Sequence, residues 1–263
     1  MQTPSPRLAL SAAALDALVN RARRNAFDCE CRRRVYVNEH LRSVGLTLPE
    51  KDPPLYVGEE SAPRYVLNEP LIRVLSEYIR RTCPDLPTFV EMWRDQTSTD
   101  YHPNKAIDPV NLAKACKDYE RLNHLLQIAR NGVQVKLVKP LPYQSSRPRN
   151  HRSADDRVNI LVKTIRKEQD AGRCLVLDID ILDLWPQIRI SPFGAVNKGN
   201  TDPRFFGRLI HDLSWPAGFS INDFTDPSLV PRPCYEPPST IAATVDEFAV
   251  DAVSPEMMTG DVA

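Results

Sequence analysis

Two basic side chains flank a loop of turn-forming residues in the second half of the chain. Lys198 ends one β-like segment (188–198), and Arg208 lies near the start of another (206–213). The residues between them include Gly, Asn, Asp and Pro, which predicts a hairpin with one cation on each side of its loop. A guanidinium and an ammonium placed in this way could both bind one triphosphate. Taken alone, each also fits an exposed surface charge, with Arg208 paired to Asp212.

A carboxylate, Asp261, follows an apolar run near the end of the given sequence. Carboxylate oxygens are ligands that Mg²⁺ prefers, and two such ions about 4 Å apart can activate an attacking hydroxyl and stabilise a leaving oxygen. One carboxylate cannot hold both ions alone. The alternative interpretation is an ordinary aspartate without a metal-binding role.

The segment 130–153 is the most strongly basic part of the chain, and we call it the basic island. It contains no Asp or Glu and six basic residues, namely Arg130, Lys136, Lys139, Arg147, Arg149 and Arg152. Arg147, Arg149 and Arg152 are candidates for contacts with nucleic-acid phosphates, and Tyr143 could stack on a base. A second cluster lies at Arg21, Arg23, Arg24 and residues 32–34. Both clusters also fit solvated charged surfaces.

Two other sets of residues fit metal sites less well. Asp178 and Asp180 form a D-x-D pattern, but they alternate with apolar residues and favour a half-buried strand with an acidic face. Cys29, Cys31 and His40 could supply three ligands, but no second Cys-x-x-Cys pair follows them. The six scattered cysteines favour free thiols.

The elements that must position these residues are helical in the first half of the chain. Predicted helices cover 11–24, 68–79, 88–93 and 108–131, and the residues that cap or begin them are Ser11, Asn68, Thr88 and Asp108. The last of these has the clearest signals, since Pro109 follows its cap and Gly132 its final residue. The helix at 108–131 is predicted to be continuous.

The second half combines strands with a further helix. Ser153 and Asp156 form a capping box for a helix that ends at Gly172. The remaining predictions are a short strand at 133–142, a polar linker at 144–152, the hairpin, a Pro-rich span at 227–238, a helix at 240–252 and a strand at 257–263.

Three segments together resemble reverse transcriptases. They are Ser191-Pro192-Phe193-Gly194-Ala195-Val196-Asn197-Lys198, Gly207-Arg208-Leu209-Ile210-His211-Asp212-Leu213-Ser214 and Met258-Thr259-Gly260-Asp261-Val262-Ala263. The first two resemble the fingers hairpin and the third the first palm strand. The amino-acid sequences of the first two segments are most similar to polymerases of retrotransposons that carry a tyrosine recombinase. The resemblance covers about residues 120–263.

The resemblance implies a role for each matching residue. Lys198 and Arg208 would bind the triphosphate, Asp261 would be catalytic and a metal ligand, and Val262 would offer a carbonyl oxygen to Mg²⁺. Ser214 stands where many relatives have a second Arg, and Asn197 where another basic residue is common. The paired aspartates of the family, in a Tyr-x-Asp-Asp-like sequence, do not follow Ala263. We therefore expect a fragment that is inactive by itself.

Composition excludes several classes of protein. Of 263 residues, 42% are hydrophobic, too many for a disordered chain, and 34 basic residues balance 34 acidic ones, so the molecule is not a polycation. No stretch has the length of a membrane helix, and no signal peptide begins the sequence. An intracellular protein, cytoplasmic or nuclear, is expected.

The sequence thus predicts an α+β chain in three parts. Residues 1–107 form a helical region of unknown role, 108–152 a helix, a short strand and a basic linker, and 153–263 a partial fingers region with the start of the palm. The predicted function is that of a retrotransposon reverse transcriptase, which uses primer-template, deoxynucleotides and Mg²⁺ in the intact protein. The alternative is a non-catalytic nucleic-acid-binding or protein-interaction module derived from a retroelement.

Overall fold

Among the residues that the structure describes, helices dominate and the strands form two small antiparallel sheets, as the α+β prediction requires. The computed structural model describes residues 12–133, 135–199, 201–202, 205–229 and 239. The α-helices are α1 (Ala12–Arg42), α2 (Glu69–Thr82), α3 (Leu86–Trp93), α4 (Pro109–Ala115), α5 (Leu122–Asn131), α6 (Arg152–Asp155), α7 (Val158–Asp170) and α8 (Ile221–Phe224). The strands are β1 (Tyr56–Val57), β2 (Arg64–Tyr65), β3 (Phe193–Val196) and β4 (Arg208–His211), and 3₁₀ helices cover Ile179–Leu184 and Pro227–Leu229.

The first helix is longer than predicted. It does not end near Arg24 but continues to Arg42, because no Gly or Pro interrupts the chain before Gly45. Gly45 has a left-handed backbone, with φ of 74°, and its amide donates to the carbonyl of Arg42. The predicted cap, Ser11, lies outside the described residues.

The main core forms where α1 meets α2, α3 and the 3₁₀ helix at 179–184. Its buried members are Val37, Leu41, Leu71, Leu75, Ile79, Phe89, Met92, Trp93, Ile181 and Trp185. The Trp185 indole also donates to the carbonyl of Pro84, 2.9 Å away. The segment at 179–184 is helical rather than the predicted strand, because single side chains, Ile181 and Trp185, reach this core while Ile179 and Leu184 stay exposed.

The caps of α2 and α3 differ in how well the sequence predicted them. Asn68 caps α2 as expected, since its side chain accepts from the amide of Leu71. The cap of α3 is Asp85 rather than Thr88, whose amide instead donates to Asp85 Oδ1 at 2.8 Å. The helix therefore begins before Pro87, which a first helical turn tolerates because it needs no amide donor there.

The predicted continuous helix at 108–131 is wrong: two helices, α4 and α5, occupy this region. Asp108 does cap α4, and Gly132 with φ of 73° ends α5. Between them the chain leaves the helical path after Cys116, and Tyr119 is 52% exposed. A helix of this length needs a buried face for stability, and this stretch has none.

The helix α7 anchors the segment 53–66 of the first half. Its Asn159 side chain accepts from the amide of Tyr65 and donates to the carbonyl of Pro63, which fixes the β1–β2 hairpin. Arg166, only 2% exposed, donates to Asp170 and to three carbonyl oxygens, those of Pro53, Pro54 and Val66.

Three further predictions have separate outcomes. The strand at 133–142 is reduced to an isolated bridge between Leu137 and Thr225. The Ser153 capping box does not form; α6 begins after His151, and a separate helix, α7, begins after Arg157. The helix at 240–252, the strand at 257–263 and most of the Pro-rich span lie outside the described residues. In the part of the chain that the structure describes, no helix has the length and apolar character needed to cross a membrane.

Candidate nucleic-acid interface

The predicted hairpin is present as strands β3 and β4. They pair antiparallel with the register Phe193↔His211, Gly194↔Ile210, Ala195↔Leu209 and Val196↔Arg208. Because side chains alternate along a strand, Val196, Ile210 and Arg208 share one face. Val196 and Ile210 are 42% and 43% exposed, so this face of the hairpin is open to solvent.

The opposite face of the hairpin packs on α7. Ile160 of α7 is buried, and a Cβ added at Gly207 would lie 3.4 Å from its Cγ2 and 3.3 Å from the carbonyl oxygen of Val196. Only glycine allows so close an approach without a shift of its neighbours. The helix therefore fixes the position of the hairpin.

Lys198 and Arg208 lie at the loop end of this hairpin. Val196↔Arg208 is the last pair of the ladder, and Lys198 follows two residues after Val196. The turn begins at Lys198, whose carbonyl oxygen accepts from both the amide and the hydroxyl of Thr201. Both cations are exposed, and within the described residues neither pairs with a carboxylate.

The basic island meets the hairpin along the outer edge of β3. Asn150 Oδ1 accepts from the amide of Phe193 at 3.0 Å, and the amide of His151 donates to the carbonyl of Phe193 at 2.9 Å. Ser153 Oγ accepts from the amide of Ala195 at 3.1 Å. These bonds satisfy backbone groups of an edge strand that would otherwise be free. They also explain why Ser153 does not cap a helix.

Arg147, Arg149 and Arg152 are exposed beside this edge. The Arg152 side chain is 93% exposed, and its Nε lies 3.6 Å from Asp156 Oδ2, a contact too long and too solvated to hold the guanidinium. Exposed cations therefore flank the anchored residues Asn150 and His151 along the chain, and the contact of Arg152 with Asp156 is weak.

A histidine that sequence reasoning did not select joins the two segments. His151 Nε2 lies 2.8 Å from Asp212 Oδ2, and the amide of Ser214 donates to Asp212 Oδ1 at 3.0 Å. The His151 contact first, and the Ser214 amide second, lower the pKa of Asp212 below its ordinary range. Asp212 therefore pairs with His151 rather than with Arg208. No local pattern marks this pair, since 61 residues separate its members.

The remaining metal candidates have other partners. Asp178 and Asp180 both accept from the Arg80 guanidinium, at 2.6 and 2.8 Å, and this contact lowers the pKa of Asp180. Cys29 Sγ donates to the carbonyl of Lys105. Among the described residues, no group of three or more His, Cys, Asp or Glu side chains is arranged to hold a metal ion.

The catalytic prediction falls outside this part of the chain. Asp261 and Val262, with the Mg²⁺ that the resemblance implies, lie outside the described residues. Comparison with known proteins gives no match to a family model, to a curated protein or to a solved structure.

Proposed function

We propose that this chain carries the fingers region of an RNA-directed DNA polymerase of a retrotransposon. The observation that supports the proposal best is the register of the hairpin, in which Lys198 and Arg208 stand at the same end with no carboxylate partner in the described residues. Nucleotidyl transfer depends on cations that position and neutralise a triphosphate. In the intact protein, Asp261 and the carbonyl of Val262 would hold Mg²⁺, which would activate the primer hydroxyl and stabilise the leaving phosphate.

Within this proposal each described residue has a distinct task. Arg208 can contact two phosphate oxygens at once through its planar guanidinium, and Lys198 can follow the phosphates as a mobile point charge. The His151–Asp212 pair positions the hairpin against the basic island. Arg147, Arg149 and Arg152 bind the backbone of the primer-template.

The test measures the affinity for a deoxynucleoside triphosphate in the presence of Mg²⁺ by isothermal titration calorimetry. Lys198→Ala and Arg208→Ala should each weaken binding by about tenfold or more, because each removes a charge-assisted hydrogen bond to phosphate. Arg208→Lys should recover only part of the loss. Lys117→Ala, at an exposed lysine outside the hairpin, is the matched control. Equal affinities for all four variants would rule out this triphosphate site.

A second candidate function is nucleic-acid binding without catalysis. The exposed cations at Arg147, Arg149 and Arg152 favour it independently of the triphosphate site, since the contact of Arg152 with Asp156 is long and solvated. A chain that binds primer-template duplex but no triphosphate would support this second function over the first.

A further inference from the structure

A cleft with an exposed aromatic ring lies at the N-terminal side of the basic arginines. It is formed by residues 141–144 and 186–189 and has a volume of about 420 Å³, within the range of ordinary ligand sites. Its walls are mainly apolar, from Leu141, Pro142, Pro186 and Ile188, and Tyr143, a residue that is 75% exposed, contributes an aromatic ring.

Hydrogen bonds hold the residues on both sides of the exposed Tyr143. On one side the Gln144 side chain donates to the carbonyl of Ile190 at 3.0 Å and accepts from the amide of Ile190 at 2.8 Å. On the other side Arg189 Nη1 donates to the carbonyl of Pro142 at 2.8 Å. A ring presented on a fixed backbone loses little freedom when a ligand stacks on it.

Arg189 also bonds to a second exposed aromatic residue near the cleft. Its Nη2 donates to the carbonyl of Phe219, a residue that is 59% exposed. Within the described residues the Arg189 guanidinium bonds to carbonyl oxygens and to no carboxylate, so its positive charge is not neutralised. One cation is thus bonded to the backbone at Phe219 and at the residue before Tyr143.

We infer that this cleft binds an unpaired nucleotide of a single-stranded nucleic acid, with its base stacked on Tyr143. The positive charge around the cleft favours a polyanionic ligand, since the basic island, with six cations and no acids, begins before Tyr143 and ends beyond it. A polyanionic backbone that follows Arg147, Arg149 and Arg152 brings its next bases to the ring. Bases in a duplex are already stacked and paired, so the cleft accepts only a single strand. The inference rests on the proposed nucleic-acid role of the chain.

The test measures the affinity of labelled single strands of about ten nucleotides, one of dT and one of rU, by fluorescence anisotropy. Tyr143→Ala should weaken binding by about fivefold or more, the loss expected for one stacked base, whereas Tyr143→Phe should keep the wild-type affinity. A duplex of the same length should bind both variants alike. Tyr119→Ala is the control, at an exposed tyrosine between Asp118 and Glu120. Comparison of the dT and rU strands assigns the site to DNA, to RNA or to both.

A second measurement does not depend on a variant. A strand that carries a photoreactive 5-iodouracil should crosslink to the wild-type protein at Tyr143, as identified by mass spectrometry. The inference is overturned if the crosslink maps elsewhere or if Tyr143→Ala weakens duplex and single strand equally.

The outcome is separable from that of the triphosphate test. If Lys198 and Arg208 bind no triphosphate while Tyr143→Ala still loses single-strand affinity, the polymerase proposal fails and the single-strand site stands. If the triphosphate binds and the wild-type chain has no affinity for a single strand, this inference fails alone.

Discussion

Asp212 shows how one side chain joins two segments that are distant in sequence. His151 and the Ser214 amide hold its carboxylate, and both contacts favour the ionised form. Because the folded-state pKa lies below the unfolded value, the carboxylate stabilises the fold fully above that unfolded value. The contribution is lost as the pH falls through the folded pKa.

We therefore expect Asp212→Asn to lower the melting temperature near neutral pH, with the difference from wild type shrinking below about pH 4. Thermal unfolding followed by circular dichroism across this range measures it. Asp183→Asn, at an exposed aspartate, should show no such pH-dependent difference. A wild-type advantage that stays constant from neutral to acidic pH would contradict the role given to Asp212.

Arg166 is the other residue whose surroundings predict a large effect. Its buried guanidinium serves three backbone carbonyls and Asp170, so Arg166→Ala leaves several polar groups without partners. We expect the free energy of unfolding to fall by about 3 kcal/mol or more. Arg173→Ala, which removes an exposed ion pair with Glu168, should cost about 1 kcal/mol or less. Urea denaturation measures the free energy of unfolding of both variants. Equal losses of stability would contradict the role given to the buried Arg166 guanidinium.

At the scale of elements, the contact of the hairpin with α7 depends on Gly207. A methyl group there meets Ile160 and the carbonyl of Val196, so Gly207→Ala should destabilise the protein by about 1–3 kcal/mol. Because Ile160→Ala removes the side-chain atoms in the way, the double variant should lose less stability than the sum of the single losses. Chemical denaturation of all three variants completes this cycle. Strict additivity would show that the two elements do not meet as described.

The same elements show what a sequence can predict. Asn68, Asp108 and Gly132 mark helix ends through bonds to residues a few positions away, and their roles followed from local patterns. The hairpin was also predicted, since its loop and its strands lie together in sequence. Local chemistry decided these features, so no knowledge of the rest of the fold was needed.

Where the prediction was wrong, the tertiary surroundings of the segment decided the outcome. Ser153 has the spacing of a cap, but its hydroxyl accepts from Ala195, 42 residues away. The stretch around Tyr119 has helical periodicity but no surface to pack against. The His151–Asp212 pair has no signal in one sequence. Predicting each of these features would require the tertiary structure to be known first.

For the whole molecule, the net charge of zero conceals a strong separation of charge. The basic island carries six positive charges and no negative ones, while residues 219–263 contain eight acids and only Arg232. Within the described residues, the island lies along an edge of the hairpin, and its Arg147, Arg149 and Arg152 are exposed. Binding to a polyanion is therefore expected at this edge rather than over the molecule as a whole.

The salt dependence of binding to a primer-template duplex tests this localisation. Each phosphate contact contributes about 0.9 to the slope of log affinity against log salt, so Arg147, Arg149 and Arg152→Ala together should reduce its magnitude by about 2–3. Replacing Arg21, Arg23 and Arg24, exposed on α1, removes the same charge from another surface and should leave the slope unchanged. If both triple variants shift the slope equally, the attraction is diffuse and the hairpin edge is not the binding surface. If only the first does, the duplex binds at the edge of β3 along which the basic island lies.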